Sequence, residues 1–179
     1  MKKILIIVDA QNDFCHIDGA LSTPEACKAA DNIILKLDSP AFDFDEIYCT
    51  KDTHDDGYHD SVEGRHLPVD HCLKLSWGWK MREDIYRALY NQRYVTYIEK
   101  NKFAPSVRDI YDNIGMLERG DKIYVCGLCT DICVVNTALA VKNFMECEVY
   151  LIEDCCAGST PENHEAAIKV MKASHINVI

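Results

Sequence analysis

The sequence predicts an α/β protein, a single-domain three-layer α/β/α structure with a mostly parallel sheet of about six strands. Short apolar runs alternate with longer amphipathic stretches from one end of the chain to the other, which is typical of a parallel sheet covered by helices. The runs lack polar alternation, as expected for strands buried on both faces. With 179 residues, 48% of them apolar, the chain is long enough for one substantial core. We therefore expect one domain over residues 1–179.

Six apolar runs are predicted as strands, and the segments between them carry helical patterns. The predicted strands are Lys3–Val8, Glu46–Thr50, Tyr94–Ile98, Lys122–Cys126, Glu148–Ile152 and Ile176–Ile179. The predicted helices are Pro24–Leu37, Val107–Met116, Ile132–Met145 and one that begins at Pro161 after an N-cap at Thr160. Residues 51–80 show no clear periodicity. Long irregular segments in compact domains are usually functional, so we expect a functional insertion there.

Charge and cysteine usage exclude several classes of protein. The chain has 19 basic and 29 acidic residues, a net charge of −10, and no cluster of lysine or arginine, which argues against nucleic acid and anionic membranes as partners. No run approaches the roughly 20 apolar residues of a membrane span. The first apolar run stops at Asp9 without a small-residue cleavage site, so we expect a strand rather than a signal peptide. The ten cysteines have neither disulfide-scaffold nor zinc-ribbon spacing, so we expect mostly buried free thiols in a cytoplasmic protein.

Chemically active side chains follow four of the predicted strands. Asp9 follows the first strand, Asp52 and His54 the second, Lys100 the third, and Cys133 lies shortly after the fourth. Ligands of open α/β sheets bind outside the carboxyl ends of the strands, where these residues should meet. The sequence therefore predicts a site at this edge of the sheet.

Cys133 is the best candidate for a nucleophile. If Thr130 or Asp131 caps the following helix, Cys133 lies in the first helical turn, where the helix dipole and free N–H groups stabilise a thiolate. The same N–H groups could receive an oxyanion that forms on a carbonyl substrate. The alternative is an unreactive thiol on an apolar helix face.

Asp9 and Lys100 have possible roles beside this thiol. Asp9 could act as a general base for Cys133, although taken alone it is also typical of a turn or N-cap residue. Lys100 could lower the pKa of the thiol and stabilise negative charge, although it could equally be a surface lysine, with Lys102 as a rival.

The pair Asp52-x-His54 has a spacing compatible with a divalent metal ion. The third ligand would come from the same segment, from His59, His66 or His71. A carboxylate with imidazoles suits zinc, and manganese or iron are alternatives.

Three separated motifs together resemble the isochorismatase-like cysteine hydrolases over essentially the whole chain. They are the segment 8–14 (VDAQNDF), Lys100, and the segment 127–134 (GLCTDICV). The resemblance implies a catalytic triad of Asp9, Lys100 and Cys133. It also implies a cis peptide bond between Leu128 and Cys129, and an oxyanion hole formed by the backbone N–H groups of Cys129 and Cys133. Family members often have alanine at the position of Cys129, where only the backbone is needed.

Within this superfamily, Asp52-x-His54 followed by His71-Cys72 looks like the metal-binding nicotinamidase/pyrazinamidase-like branch. The resemblance selects His71 as the third metal ligand, makes residues 51–80 a metal- and substrate-binding insertion, and places Phe14 in the substrate pocket. It implies hydrolysis of nicotinamide to nicotinate and ammonia through a thioester on the cysteine, with the metal holding the pyridine nitrogen. The Trp77-Gly78-Trp79 stretch does not match the family pattern.

Other functions remain open at this point. The chain could be a cysteine hydrolase of another small amide, carbamoyl or ureido compound, with ether hydrolysis of the isochorismatase type less expected. It could also be a thiol redox or metal-storage module that uses Cys129/Cys133 and Cys155/Cys156, or a binding protein without activity. For a hydrolase, we expect a small-molecule amide as substrate and a homo-oligomer.

Overall fold

The computed structural model describes residues 1–179 and contains one six-stranded sheet in which every pairing is parallel. The strands are β1 Lys3–Val8, β2 Glu46–Asp52, β3 Val95–Lys100, β4 Lys122–Leu128, β5 Glu148–Ala157 and β6 Asn177–Val178. The α-helices are α1 Asn12–Cys15, α2 Pro24–Leu37, α3 Val62–His66, α4 Glu83–Tyr90, α5 Val107–Ile114, α6 Val135–Phe144 and α7 Pro161–Ala173. The predicted fold class is confirmed. None of the helices has the length and apolar character required to cross a membrane.

The strand order β3-β2-β1-β4-β5-β6 places β1 and β4 side by side at the centre of the sheet. Residues 4–8 of β1 are all buried, because helices cover both faces of the central strands. The chain winds outward in one direction from β1 and in the other from β4. The carboxyl ends of these two strands therefore flank the crevice in which doubly wound sheets bind their ligands.

Most predicted strands differ slightly at their ends from the observed ones, and two predicted elements differ substantially. Strand β5 continues to Ala157, beyond the predicted end at Ile152, because a register shift after Val125 lets β5 keep pairing with the end of β4. The predicted helix over Ile132–Met145 is divided into a π-helical turn over Thr130–Val134, called the π turn below, and α6.

Helix α4 was missed by the sequence analysis. Its entry is fixed by Arg82, whose backbone N–H donates to the carbonyl of Ala10 and whose buried guanidinium group bonds the carboxylates of Asp31 and Asp84. The contacts of Arg82 with Ala10 and Asp31 join distant parts of the chain, so no local pattern reveals them. The short helices α1 and α3 were also missed, and α3 lies within the segment predicted as irregular.

Candidate active site

Asp9, Lys100 and Cys133 meet at the carboxyl edge of the sheet. Asp9 follows β1, Lys100 ends β3, and Cys133 lies in the π turn after β4. Lys100 Nζ lies 2.6 Å from Asp9 Oδ2 and donates to Cys133 Sγ at 3.6 Å. All three side chains are buried. The lysine is thus enclosed between the carboxylate and the thiol and is not a solvated surface residue.

Asp9 is held in an uncommon backbone conformation by the neighbouring strand. Its φ of 49° lies in the left-handed region, which non-glycine residues rarely adopt. The Asp9 N–H donates to the carbonyl of Thr50 at 3.2 Å, and the Thr50 hydroxyl donates to Asp9 Oδ1 at 2.6 Å. These bonds leave the second carboxylate oxygen for Lys100.

Burial sets the protonation of the acid and the thiol. Complete burial raises the pKa of Asp9 above its ordinary value, although the charge of Lys100 opposes this. Burial also raises the pKa of Cys133 well above its ordinary value, and the Asp9 carboxylate adds to the effect while Lys100 lowers it. The environment of Cys133 therefore favours the protonated thiol over the thiolate, so attack by its sulfur calls for a nearby base.

The π turn is attached to α7 in a way that the sequence analysis did not predict. The prediction that Thr130 or Asp131 caps the helix is wrong, because both side chains bond elsewhere. The Thr130 hydroxyl lies 2.9 Å from His164 Nδ1. The Asp131 carboxylate accepts hydrogen bonds from the Ser159 N–H at 2.7 Å and from its hydroxyl at 2.5 Å. The π turn that carries Cys133 is thus tied at two points.

The backbone before the π turn has the geometry that the family resemblance implies. The peptide bond between Leu128 and Cys129 is cis. The Cys129 carbonyl accepts hydrogen bonds from the N–H groups of Ile132 and Val134, at 3.0 and 3.1 Å. Cys129 and Cys133 are therefore held in one rigid backbone turn.

Beside the triad lies a cluster of four metal-ligand side chains, Asp52, His54, Glu63 and His71. One donor atom from each lies within 4.8 Å of the others. Asp52 Oδ2 is 3.0 Å from His54 Nε2 and 3.5 Å from His71 Nε2, and Glu63 Oε1 is 3.9 Å from both. Two carboxylates and two imidazoles at this spacing fit a divalent metal ion.

The orientation of these ligands supports the same conclusion. His71 Nδ1 bonds the carbonyl of Val69 at 2.8 Å, which turns Nε2 toward the cluster, as is usual for histidine ligands. Burial acts to raise the pKa of Asp52, but bonds from His54 and His71 and the charge of Lys100 hold it well below its ordinary range. Lys100 Nζ lies 3.5 Å from Asp52 Oδ1, so the cluster and the triad are in direct contact.

Glu63 is the member of the cluster that the sequence analysis missed. Only histidines were considered for the remaining positions. His59 instead pairs with Asp70 at 2.7 Å on the surface, and His66 is exposed. Glu63 lies in the first turn of α3, which is capped by Ser61. The only local signal of this short helix was Ser61, which caps it by accepting the N–H of Gly64.

Phe14 and Asp13 connect α1 to the cluster of metal-ligand side chains. The Phe14 ring packs edge-on against His71, with ring centroids 5.6 Å apart. Asp13 was not predicted as a site residue, and its carboxylate accepts the N–H of Cys72 at 2.7 Å. Gly78 packs directly against this carboxylate.

Comparison with known proteins identifies the family. The family model described as the isochorismatase domain matches residues 3–179. The chain belongs to the isochorismatase family. The resemblance seen in the three sequence motifs is thereby confirmed, and the match covers nearly the whole chain.

Relatives of this isochorismatase-family chain are nicotinamidases and pyrazinamidases. A nicotinamidase of Schizosaccharomyces pombe is 28% identical over 209 residues, covering 98% of this chain and 91% of that protein. The crystal structure of a Bacillus subtilis nicotinamidase has a TM-score of 0.80 at 25% identity and covers 99% of both chains. The structure of a Pyrococcus horikoshii pyrazinamidase in complex with zinc has a TM-score of 0.70 at 26% identity, covering 100% of this chain and 99% of that one.

Proposed function

We propose that this protein is a metal-dependent cysteine amidohydrolase that converts nicotinamide to nicotinate and ammonia. The observation that carries the proposal is the buried Asp9–Lys100–Cys133 group in contact with a four-donor metal cluster. The nicotinamidases that this chain resembles match it over nearly their whole length, which supports the same activity. We assign Asp9 as the general base, Cys133 as the nucleophile and Lys100 as the cation between them.

In the first half of the reaction, Asp9 takes the proton of the Cys133 thiol as sulfur attacks the amide carbon. The raised pKa of Asp9 suits a carboxylate that must accept this proton. The backbone N–H groups of Cys129 and Cys133 receive the oxyanion. The intermediate collapses, the C–N bond breaks, ammonia leaves with the proton from Asp9, and a thioester remains on Cys133.

In the second half, Asp9 takes a proton from water, whose oxygen attacks the thioester carbon. The C–S bond breaks, the proton held by Asp9 returns to the sulfur, and the product leaves as nicotinic acid, which releases its remaining proton to solvent to give nicotinate. Burial acts to lower the pKa of Lys100, but the negative charges of Asp9, Cys133 and Asp52 raise it above its ordinary value, which favours the charged ammonium group. Its charge offsets the negative charge that moves between Asp9 and Cys133.

Asp52, His54, Glu63 and His71 would hold the metal ion, and we propose zinc, with manganese or iron as alternatives. The zinc complex of the pyrazinamidase relative and the two-imidazole donor set support this assignment. A metal ion bound here would position the pyridine nitrogen of the substrate rather than act as a Lewis acid on the carbonyl group. Phe14, packed on His71, would form one wall of the substrate pocket.

The proposal is tested by ammonia release from nicotinamide. The purified protein should release ammonia, and Cys133→Ala should release none, while Cys27→Ser, at a half-buried thiol on α2 outside the site, keeps its rate. Undiminished turnover by Cys133→Ala would exclude Cys133 as the nucleophile. Ammonia from a carbamoyl or ureido compound but not from nicotinamide would favour the alternative substrate class.

A thiol redox function has less support. Cys155 and Cys156 are adjacent on β5, and successive side chains of a strand point to opposite faces of the sheet. Cytoplasmic location, a homo-oligomeric state and the single-domain reading of residues 1–179 remain predictions from the sequence.

A further inference from the structure

A cavity of about 420 Å³ lies on the opposite face of the β2–β3 pair from the catalytic site. Lys51 and Glu99 line it, and each directly precedes a site residue, Asp52 and Lys100. Because side chains alternate along a strand, the residues before the site residues point to the other face. This cavity, called the rear cavity below, is therefore separate from the catalytic centre.

Aromatic side chains form much of the wall of the rear cavity. Trp79 comes from the loop before α4, Tyr86 from α4, and Tyr97 from the edge strand β3. Its volume falls within the range of roughly 300–1,000 Å³ that is typical of small-molecule sites, which are also mostly apolar with a few polar groups. The shape and lining suit a planar aromatic ring.

The charges around the rear cavity favour an anion. Its two carboxylates have partners outside it: Glu99 pairs with Lys74 at 2.7 Å, and Glu83 pairs with Arg87 at 2.9 Å. The two lysines that line the rear cavity have no carboxylate oxygen within 4 Å. The two lysines are therefore the charged groups of the cavity that lack an ion-pair partner.

The two lysines that line the rear cavity are Lys51 and Lys80. Lys51 Nζ lies over the Trp79 ring, 2.8 Å from its centroid, so the indole holds this ammonium group in the wall of the cavity. We propose that the rear cavity binds a small aromatic acid, its ring against Tyr86 and Tyr97 and its carboxylate on Lys51 and Lys80.

The wall of the rear cavity is hydrogen-bonded to the metal-binding strand. The Trp79 indole N–H donates to the Thr53 hydroxyl at 2.9 Å, and the Trp79 carbonyl accepts from the Gln11 side chain at 3.0 Å. Gln11 bonds both backbone groups of Asp52, at 2.7 and 2.8 Å. Trp79 and Asp52 thus share Gln11 as a hydrogen-bond partner.

The test uses benzoate, an aromatic acid without an amide, on the intact protein. Calorimetry should detect binding, and Lys51→Gln combined with Lys80→Gln should weaken it by about tenfold or more. Tyr86→Ala, at an exposed aromatic position of the wall, should also weaken it. Lys169→Gln, which removes the same charge from the exposed side of α7, should not. In a Trp77→Phe background, benzoate should change the fluorescence of Trp79.

Two results would overturn the proposal. One is benzoate affinity that is unchanged in the double lysine variant. The other is loss of benzoate binding in Phe14→Ala with retention in the lysine variant, which would place the acid in the catalytic site. Failure of nicotinamide hydrolysis would leave these binding results unaffected, so the two proposals fail independently.

Discussion

Lys100 Nζ lies 2.6 Å from Asp9 Oδ2, and neither side chain exposes more than 2% of its surface. Such a pair is stable only while both charges are present, since a lone buried charge is costly. Lys100→Met should therefore lower the free energy of unfolding by about 3–5 kcal/mol and abolish turnover. Urea unfolding followed by circular dichroism measures the first effect.

The double variant Asp9→Asn, Lys100→Met provides the control for this prediction. Because it removes both charges, it should lose less stability than the sum of the two single variants. Strictly additive losses would show that the two side chains do not interact energetically.

Asp9 and Lys100 also show how far the sequence alone leads. Their positions at strand ends follow from the apolar runs of β1 and β3, which place both at one edge of the sheet, and the family resemblance selected them as a triad with Cys133. The family resemblance, rather than spacing, selected His71 over His59 and His66. In the structure these two lie on the surface while His71 is buried.

The features that could not be predicted depend on contacts between distant segments. Glu63 joins the cluster because its carboxylate lies 3.9 Å from both His54 and His71, and Arg82 fixes the start of α4 partly through Asp31, which is distant in the sequence. The side chain of Thr130 bonds His164 of α7 and that of Asp131 bonds Ser159 just before α7, rather than their own helix. A local capping rule therefore assigned them the wrong partners.

Glu63 should contribute to metal affinity. Glu63→Gln removes a charged oxygen donor from the cluster and should weaken metal binding by about tenfold or more, with a smaller loss than Asp52→Asn. Metal content by mass spectrometry and competition with a chelator measure the effect. His59→Gln is the matched control, since His59 lies in the same segment but bonds Asp70. Equal metal retention by Glu63→Gln and His59→Gln would remove Glu63 from the ligand set.

Gly78 should not accept a side chain. A Cβ atom at this position would overlap the carboxylate of Asp13, which bonds the N–H of Cys72 next to His71. Gly78→Ala should therefore destabilise the protein by about 1–3 kcal/mol and weaken metal binding. Gly120→Ala, where the nearest side-chain atom is 3.8 Å away, is the control and should change neither. A stable Gly78→Ala protein with full metal content would contradict the prediction.

Asp121 should make stability depend on acidic pH. Bonds from the N–H groups of Glu118 and Lys2, at 3.0 and 2.7 Å, lower its pKa below the ordinary value. A lowered folded-state pKa adds stability above the unfolded pKa of about 4, and this stability is lost as the pH falls through the folded value.

Asp121→Asn should therefore be less stable than the native protein at pH 7, by on the order of 1 kcal/mol, and the difference should shrink below about pH 4. Urea unfolding at a series of pH values measures this, with the exposed Asp43→Asn as control. A difference that stays constant with pH would show that the carboxylate charge is not involved.

The hydrogen bonds from the π turn to Ser159 and to His164 of α7 should position Cys133 for attack. Asp131→Ala removes the bonds to Ser159, and His164→Ala removes the contact with Thr130. Neither Asp131 nor His164 is proposed to touch substrate. Each variant should lower kcat by about tenfold or more, since displacing a reacting group by about 1 Å can cost about a hundredfold, while KM changes little.

A conservative variant separates positioning from simple loss of structure. Asp131→Asn keeps an oxygen that can accept the Ser159 N–H, so it should recover part of the kcat lost in Asp131→Ala. Metal content and thermal stability should remain close to native in both, because Asp52, His54, Glu63 and His71 lie in other segments. A rise in KM at unchanged kcat, or loss of metal, would instead assign these bonds to substrate binding or to the metal cluster.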